Sequence, residues 1–329
     1  MASMSRLNEL ASFFMEHLQD QNLGNTPESL YTPAHYILTL GGKRIRPALT
    51  LMGYSLYQDD LKNALPMAMA VEIFHNFTLV HDDIMDKADV RRGKPTVHAR
   101  YGQNTAILAG DVLMIKAYDY ISKYADSQLV VKLLGYFNRM ATEVCEGQQM
   151  DMDFEQMMDV FIESYIRMIE LKTSILLGEA LRCGAAVAGA PQSDLNHLYA
   201  FGVNFGIAFQ IMDDILDTFG DPQLVGKKIG GDIIQNKKTF LFLKALELAD
   251  PGERDILLNL CSTSSGLSDD EKVEQVTDMF RRLNVQEYAI QVIEAYRDLA
   301  VSHVRACSFS VDKQNDMIEL LDELISRKY

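Results

Sequence analysis

Residues 71–86 read VEIFHNFTLVHDDIMD, and residues 201–217 read FGVNFGIAFQIMDDILD. Both are long apolar segments, and both end in the same acidic pattern, Asp-Asp-x-x-Asp. Apolar residues at three- and four-residue spacing are typical of a buried helix. The first and fifth residues of such a pattern lie on one helix face, about one turn apart. The two stretches therefore predict two long central helices, each ending in a cluster of carboxylates.

Carboxylates at this spacing suit a hard divalent cation, and Mg²⁺ favours carboxylate, water and substrate phosphate oxygens together. A single copy of the pattern is also compatible with a solvated helix end. The second copy, again closing an apolar helix, favours a function, because like charges at this density cost stability unless something positive neutralises them. We expect two facing sites that hold several metal ions and a diphosphate between them.

The composition limits the class of protein. The chain has 329 residues, of which 48% are hydrophobic, enough for a large core. The absence of a Pro/Gly/Ser-rich linker predicts one domain over residues 1–329. The net charge of −15 argues against nucleic acid as a partner. No apolar stretch reaches the roughly 18–20 residues of a membrane span. Charged residues interrupt any signal peptide, and the four separated cysteines suggest reduced thiols, so we expect a cytoplasmic protein.

Helical periodicity covers most of the chain. It predicts helices over residues 5–20, 62–86, 105–123, 127–151, 157–184, 193–217, 268–283, 285–306 and 312–326. Alternating strand patterns with tight turns are missing. The sequence therefore predicts an all-α protein, with the two acidic helices at the centre of a helical bundle.

One polar stripe runs along the first acidic helix. At about 100° per residue, His75 and Thr78 share the face of Asp82 and Asp86. A polar stripe on a buried helix needs partners, and a polar ligand is one. A histidine satisfied within the core is the alternative, but the alignment with the acidic motif favours a ligand.

Four further segments carry charge or polar groups. GGKRIRP at 41–47 places three cations beside a flexible glycine pair, and RRGKPT at 91–96 contains adjacent arginines that must point towards different anions. Arginine forms bidentate bonds with phosphate, whereas lysine supplies a point charge. GQQMD at 147–151 closes a helix, and Lys172-Thr173 interrupts an apolar run where a buried lysine is costly unless paired. After the second acidic motif, GKKIGGD at 226–232 and NKK at 236–238 offer lysines to phosphate. Basic surface loops are the alternative reading.

Taken in order, these motifs resemble those of the trans-type isoprenyl diphosphate synthases, or polyprenyl synthetases, of the short-chain farnesyl and geranylgeranyl kind. The matching motifs span residues 41–238. The resemblance implies an all-α bundle around a deep central cavity, of the isoprenoid synthase type. It also implies a homodimer.

The resemblance assigns roles residue by residue. Two or three Mg²⁺ ions would be held by the acidic residues Asp82, Asp83, Asp86, Asp213, Asp214 and Asp217, with Asp82 and Asp86 as direct ligands. The metal site would be supported by Gln148 and Asp151. The diphosphate of isopentenyl diphosphate would be bound by Lys43, Arg46, His75 and Arg92. The allylic diphosphate would be contacted by Arg91, Lys172, Lys227 and Lys237, with Lys228 an alternative to Lys227. The developing allylic cation would face Thr173 and Gln210.

The implied reaction is Mg²⁺-assisted ionisation of a C5–C15 allylic diphosphate, followed by attack of the double bond of isopentenyl diphosphate. Family resemblance places the cavity floor at Phe77, with Phe74 beside it and a non-aromatic Thr78, although both phenylalanines could be ordinary core residues. We expect C15 to C20 products, leaning to C20. The alternatives are a non-catalytic diphosphate-binding subunit of a heteromeric synthase, which would lack an intact motif, and a terpene cyclase, which needs no isopentenyl diphosphate site.

Overall fold

The structure, a computed structural model, describes residues 2–19, 21–157, 159–221, 229–261 and 266–326. The helices in these ranges are α1 (Ala2–Gln19), α2 (Glu28–Thr39), α3 (Ile45–Ser55), α4 (Leu65–Met85), α5 (Val97–Tyr101), α6 (Gln103–Ile121), α7 (Ser127–Gln156), α8 (Ile162–Ile169), α9 (Ile175–Val187), α10 (Gln192–Phe219), α11 (Gly231–Ile234), α12 (Phe240–Leu248), α13 (Pro251–Leu260), α14 (Asp269–Arg282), α15 (Val285–Arg305) and α16 (Val311–Ile325). A 3₁₀ turn covers Leu61–Ala64 and a π-helical turn covers Glu170–Ser174. The all-α prediction is confirmed.

One β-ribbon, which periodicity did not predict, follows the first acidic helix. Strands β1 (Val90–Arg91) and β2 (Lys94–Pro95) pair antiparallel and are the only strands in the ranges that the structure describes. The two residues between them, Arg92 and Gly93, have φ of 54° and 73°. Two consecutive left-handed residues are typical of the type I′ turn that matches strand twist. The ribbon is too short for an alternating pattern to reveal it.

The residues cluster into two compact units. The first comprises Met1–Ala141, Leu176–Tyr199 and Ala306–Asp316, and the second comprises Thr142–Ile175, Ala200–Arg305 and Met317–Tyr329. A single domain over residues 1–329 stays a prediction. None of the described helices combines the length and apolar character that crossing a bilayer requires.

In the first unit, glycines let helices pack backbone to backbone. A Cβ on Gly53 of α3 would lie 2.2 Å from the Leu181 carbonyl oxygen of α9, and one on Gly184 would lie 1.9 Å from that of Thr50. A Cβ on Gly110 of α6 would lie 2.3 Å from Nε2 of His81 on α4. At Gly53 and Gly184 the neighbouring atoms belong to the backbone, so these two glycines fix the close approach of α3 and α9.

In the second unit, the π-helical turn is held between two other helices. A Cβ on Gly147 of α7 would lie 2.4 Å from the Lys172 nitrogen, and one on Gly206 of α10 would lie 2.6 Å from Cα of Ser174. Single π-turns inside helices often occur at functional sites, because the extra residue changes where neighbouring side chains point. Here the turn carries Lys172 and Thr173.

Candidate functional site: two acidic helix ends with separate basic partners

The first acidic motif lies at the C-terminal end of α4. Its middle residue, Asp83, is 1% exposed, and both of its carboxylate oxygens accept hydrogen bonds from Nε of Arg91 at 2.9 Å. Nη2 of Arg91 approaches Oδ1 at 2.8 Å. Asp82 is half-buried and Asp86 is exposed. The outer aspartates of the motif therefore sit towards solvent, while the middle one is engaged within the fold.

A helix-ending motif returns the chain towards Asp83. Lys87 adopts a left-handed φ of 51°, the Ala88 N–H donates to the Asp83 carbonyl at 3.0 Å, and the Lys87 N–H donates to the Ile84 carbonyl at 3.3 Å. This pair of bonds is the Schellman pattern, which satisfies carbonyls at the end of a helix. It turns the chain into the β-ribbon, so that Arg91 reaches back to the acidic motif.

Arg46 and His75 form the centre of a basic cluster in the same unit. Nη1 of Arg46 lies 3.1 Å from Nε2 of His75. Burial, with Arg46 and further arginines nearby, holds the pKa of His75 well below its ordinary value. His75 is therefore neutral at pH 7, and its Nε2 accepts the Arg46 hydrogen bond, which leaves the proton on Nδ1.

The Arg46 guanidinium is a buried charge with unused donor capacity. Burial lowers the pKa of Arg46 to about 10, while Glu72 opposes the shift, so the group remains protonated at neutral pH. Its Nε is buried and has no hydrogen-bond partner among the described residues. Buried donors without a partner are costly and are typical of a site that a ligand completes.

Of the neighbouring basic residues, one has a structural role and the others border the candidate site. Arg44 is buried and donates to Glu72 and to the Leu38 carbonyl, so it holds the segment in place. Arg92 donates to the Gly41 carbonyl, and a Cβ on Gly42 would lie 2.7 Å from its Cζ. Glycine is required there, because φ of Gly42 is 122° and the arginine occupies the space. The contact joins the two basic segments, with Lys43 exposed beside it.

In the second acidic motif, near the end of α10, the middle residue has different hydrogen-bond partners. Asp214 is 3% exposed, and its Oδ2 accepts hydrogen bonds from the Tyr165 hydroxyl and from the Phe240 N–H at 3.3 Å. Burial raises the pKa of Asp214 well above its ordinary value, and Asp232 adds to the shift. Burial likewise raises the pKa of Tyr165. Asp213 is half-buried.

Asp217, the last residue of this motif, caps a short helix. Its Oδ2 accepts the Asp232 N–H at 2.9 Å, and its carbonyl accepts the Gly230 N–H at 2.7 Å. Gly230 has φ of 81°, a conformation that favours glycine. The acidic motif thereby fixes the start of α11, which carries Asp232.

A polar cavity of about 190 Å³ lies within the second unit. Carboxylates and ammonium groups line it together: Asp151, Asp214, Asp232, Lys172, Lys237 and Lys238. Nζ of Lys172 lies 2.5 Å from Oδ2 of Asp151, and Nζ of Lys237 lies 3.6 Å from Oδ1 of Asp232. Burial raises the pKa of Asp232, although Lys237 opposes the shift. A cavity with both signs of charge can accept a cation and an anion at once.

The structure brings most of the residues predicted for the allylic side to this cavity. Thr173 and Gln210 line it together with Lys172 and Lys237. Gln148 is buried on α7, one turn before Asp151. Lys227 and its alternative Lys228 lie outside the described residues. Arg91 lies in the first unit, where it is bound to Asp83.

Three residues of this cavity received no individual assignment from the sequence. Tyr165 binds the middle aspartate, Asp232 lines the wall, and Lys238 donates to the carbonyls of Phe154 and Met157. A tyrosine at an apolar helix position carries no signal of its own. Asp232 and Lys238 stood inside quoted motifs, and only their contacts distinguish them from their neighbours.

The residues predicted to set product length form an aromatic group on α4. The Phe74 and Phe77 ring centroids lie 5.6 Å apart, Phe137 of α7 lies 5.2 Å from Phe74, and His81 lies 4.8 Å from Phe77. Phe74 is fully buried and Phe77 half-buried. The Thr78 hydroxyl donates to the His75 carbonyl at 2.8 Å.

The acidic residues fit Mg²⁺ by their donor chemistry. Among the described residues, no three His, Cys, Asp or Glu side chains gather where they could hold an ion. Mg²⁺ usually takes only one or two protein carboxylates and completes its octahedron with water and substrate phosphate. Asp82 and the exposed Asp86, one helical turn apart, offer such a pair.

Comparison with known proteins agrees with these motifs. The family model described as polyprenyl synthetase matches residues 27–280. A short chain isoprenyl diphosphate synthase of Methanothermobacter thermautotrophicus is 35% identical over 328 residues, covering 100% of this chain and 95% of its own. A geranylgeranyl diphosphate synthase of Sulfolobus acidocaldarius is 35% identical over 324 residues, covering 98% of this chain and 97% of its own.

A crystal structure of a geranylgeranyl pyrophosphate synthase superposes with a TM-score of 0.93 at 43% identity, covering 98% of this chain and 99% of its own. The chain belongs to the polyprenyl synthetase family. The resemblance predicted from the motifs is confirmed.

Proposed function

We propose that this protein is a Mg²⁺-dependent trans-prenyltransferase that condenses isopentenyl diphosphate with an allylic diphosphate of C5 to C15. Its main product is geranylgeranyl diphosphate. The observation that carries the proposal is the polar cavity of the second unit, where lysines and carboxylates lie together. A diphosphate bound through a divalent cation needs both kinds of group within reach.

The basic cluster of the first unit suits the diphosphate of isopentenyl diphosphate. Arg46 offers a buried Nε that has no hydrogen-bond partner in the described part of the chain, and neutral His75 offers an Nδ1 proton. Lys43 and Arg92 border the same segment. Because these donors are arranged before the substrate arrives, little side-chain entropy is lost on binding.

Lys172 and Lys237 hold the allylic diphosphate, together with Lys227 of the segment outside the described residues. When bound, two or three Mg²⁺ ions on Asp82, Asp86 and Asp213 would neutralise the departing diphosphate. The allylic C–O bond breaks and releases diphosphate, the double bond of isopentenyl diphosphate forms the new C–C bond, and a proton passes from the adjacent carbon to the departing diphosphate. Thr173 and Gln210 direct their oxygens towards the developing positive charge, which such preorganised dipoles stabilise.

A homodimer is part of the proposal. The solvent-facing side of α6 exposes apolar side chains, with Leu108 58% and Ile115 60% exposed. Val131, near the start of α7, is 71% exposed. Contiguous exposed apolar surface is typical of a protein interface. A cytoplasmic location stays a prediction.

The test is a product assay. The protein is incubated with Mg²⁺, isopentenyl diphosphate and each of the C5, C10 and C15 allylic diphosphates, and product lengths are identified by chromatography and mass. We expect mainly C20 product, and none with a chelator present. Failure to condense any pair would contradict the proposal and would favour the alternative, a non-catalytic diphosphate-binding subunit, for which the intact motifs offer no support.

Product length is tested separately. Phe77→Ala should open the floor of the chain-elongation cavity that the family resemblance implies, and so lengthen the product by at least one C5 unit. Val80→Ala, three residues further along the same helix and buried, is the matched control and should leave the product unchanged. An unchanged product from an active Phe77→Ala enzyme would place the floor elsewhere.

A further inference from the structure

The turn at residues 229–238 carries three of the charged groups in the polar cavity, Asp232, Lys237 and Lys238. Its beginning is tied to the second acidic motif by the two hydrogen bonds that Asp217 accepts. Within the turn, the Lys237 N–H donates to the Asp232 carbonyl at 2.9 Å. The position of Lys237 therefore depends on how the far end of the turn is held.

Lys272, a residue of α14 outside the cavity, holds that far end. Its Nζ donates to Oδ1 of Asn236 at 2.5 Å and lies 3.3 Å from the Ile234 carbonyl oxygen. Asn236 has a left-handed φ of 56°, which asparagine tolerates better than most residues. The Asn236 side chain is thus fixed by the lysine, and Lys237 is the next residue along the chain.

Burying the ammonium group of Lys272 costs free energy, which argues that the hydrogen bonds it makes have a role. The residue is only 6% exposed, and the two partners named above are neutral oxygens. Burying an ammonium group costs several kcal/mol unless hydrogen bonds compensate. Lys272 is also the fourth residue of α14, where the helix dipole disfavours a cation.

The first turn of α14 is itself held rigidly. Ser268 and Glu271 form a reciprocal capping box, with the Ser268 hydroxyl 2.6 Å from Oε2 of Glu271. The same turn packs on the start of the 229–238 segment, since a Cβ on Gly230 would lie 2.6 Å from Val273. The helix start is a fixed support from which Lys272 reaches the turn.

We propose that Lys272 is a positioning residue, which holds the turn at Ile234–Asn236 so that Lys237 and Asp232 face the polar cavity. The proposal rests on the proposed function, because Lys237 is taken to contact the allylic diphosphate. Lys272 itself touches neither substrate. It affects the binding of the allylic substrate alone, through the position of Lys237.

The test compares Lys272→Met with Lys272→Arg and with Lys313→Met as the matched control. Lys313 is a half-buried lysine of the first unit that also donates to two carbonyls, those of Ser55 and Leu56 at 3.1 and 2.8 Å. Lys272→Met should raise KM for the allylic diphosphate about tenfold, the size expected for losing a hydrogen bond to a charged group. KM for isopentenyl diphosphate should stay within about twofold, and Lys272→Arg should recover part of the loss. Lys313→Met should change neither KM.

Asn236→Gly gives a second route, because glycine keeps the left-handed backbone and removes the side chain whose oxygen accepts the Lys272 bond. The double variant with Lys272→Met should be no worse than Lys272→Met alone, since both remove the same bond. Equal rises in both KM values, or additive losses in the double variant, would overturn the proposal.

Hydrogen exchange provides a readout that does not need turnover. The backbone N–H groups of residues 235–237 should exchange about tenfold faster in Lys272→Met than in the wild type or in Lys313→Met. Unchanged exchange would overturn the positioning role even in an active enzyme. If the wild type proves inactive, the proposed function fails, but faster exchange together with weaker binding of inorganic diphosphate in Mg²⁺ would still support Lys272 as the support of the turn.

Discussion

The two acidic motifs share one sequence pattern but bury their middle aspartate against different partners. Asp83 is bound by a cation, the guanidinium of Arg91. Asp214 is bound by neutral donors, the Tyr165 hydroxyl and the Phe240 N–H, and its pKa is raised. Burial and the nearby Asp232 carboxylate raise the pKa of Asp214, and the hydrogen bonds that it accepts oppose that shift only in part. Two motifs of one sequence pattern are therefore stabilised by different kinds of partner at their middle position.

The largest effect should come from the outer aspartates, where we expect the two motifs to behave alike. Asp82→Ala and Asp213→Ala should each lower kcat on the order of 10³-fold or more, because each removes a metal ligand that stabilises the leaving diphosphate. Steady-state kinetics and circular dichroism would separate lost chemistry from lost fold. If either variant keeps full activity, or if a chelator has no effect, the two-site arrangement is wrong.

Substitution of the middle aspartate should then have a different effect on stability in each of the two motifs. Asp83→Asn should lower the free energy of unfolding by about 3 kcal/mol, because it leaves the Arg91 charge without its carboxylate. Asp214→Asn should cost less, about 1 kcal/mol, because its amide oxygen can still accept the two bonds that converge on Oδ2 and only the hydrogen bond with Gln210 is weakened. Urea unfolding at pH 7 measures both. Equal costs would show that the difference in partners has no energetic consequence.

Substrate kinetics should distinguish the basic cluster of the first unit from the lysines of the second. Arg46→Ala should raise KM for isopentenyl diphosphate roughly 10- to 100-fold, as expected for losing a charged hydrogen-bond donor, and change KM for the allylic substrate little. Lys237→Ala should show the reverse preference. An equal rise for both substrates in either variant would contradict the assignment of one diphosphate to each cluster.

The smallest effect should be a dependence of stability on pH in the first unit. His75 has a lowered pKa in the folded protein, so below about pH 6.5 the unfolded chain binds a proton that the folded chain does not. The contribution of His75 to the free energy of unfolding is therefore constant above that pH and decreases as the pH falls below it. His75→Gln should reduce the loss of unfolding free energy between pH 7 and pH 5.5. If the variant loses as much unfolding free energy as the wild type over this pH range, the acid sensitivity belongs to other groups.

Much of the helical layout follows from periodicity, and the failures have physical causes. Helices α2, α3, α5, α11, α12 and α13 were not predicted. Pro33 lies inside α2, although proline usually argues against a helix interior. Helix α12 is apolar on nearly every face, so its periodicity is faint. The single helix expected over 157–184 is two helices joined by the π-turn at Glu170–Ser174. A one-residue insertion into a helix does not disturb an apolar pattern enough to be read.

The residues of the candidate site were likewise predicted only in part from the sequence. The order of the motifs was enough to find the aspartates, the basic segments and the Lys172-Thr173 pair, because each needs particular residue types at short spacing. Tyr165 and Lys272 could not be found, since their partners lie 49 and 36 residues away in the chain. Long-range pairs of this kind leave no local pattern.

The sequence alone therefore determined that the chain is helical, that two helices end in carboxylates and that basic segments accompany them. Short-range spacing encodes all of these, because helix geometry converts it directly into shared faces. The tertiary structure alone decided which aspartate of each motif is engaged within the fold, which arginine is structural and which lysine holds a turn. Those outcomes depend on burial and on partners brought together by packing, and burial decides whether a charge is kept, neutralised or paired.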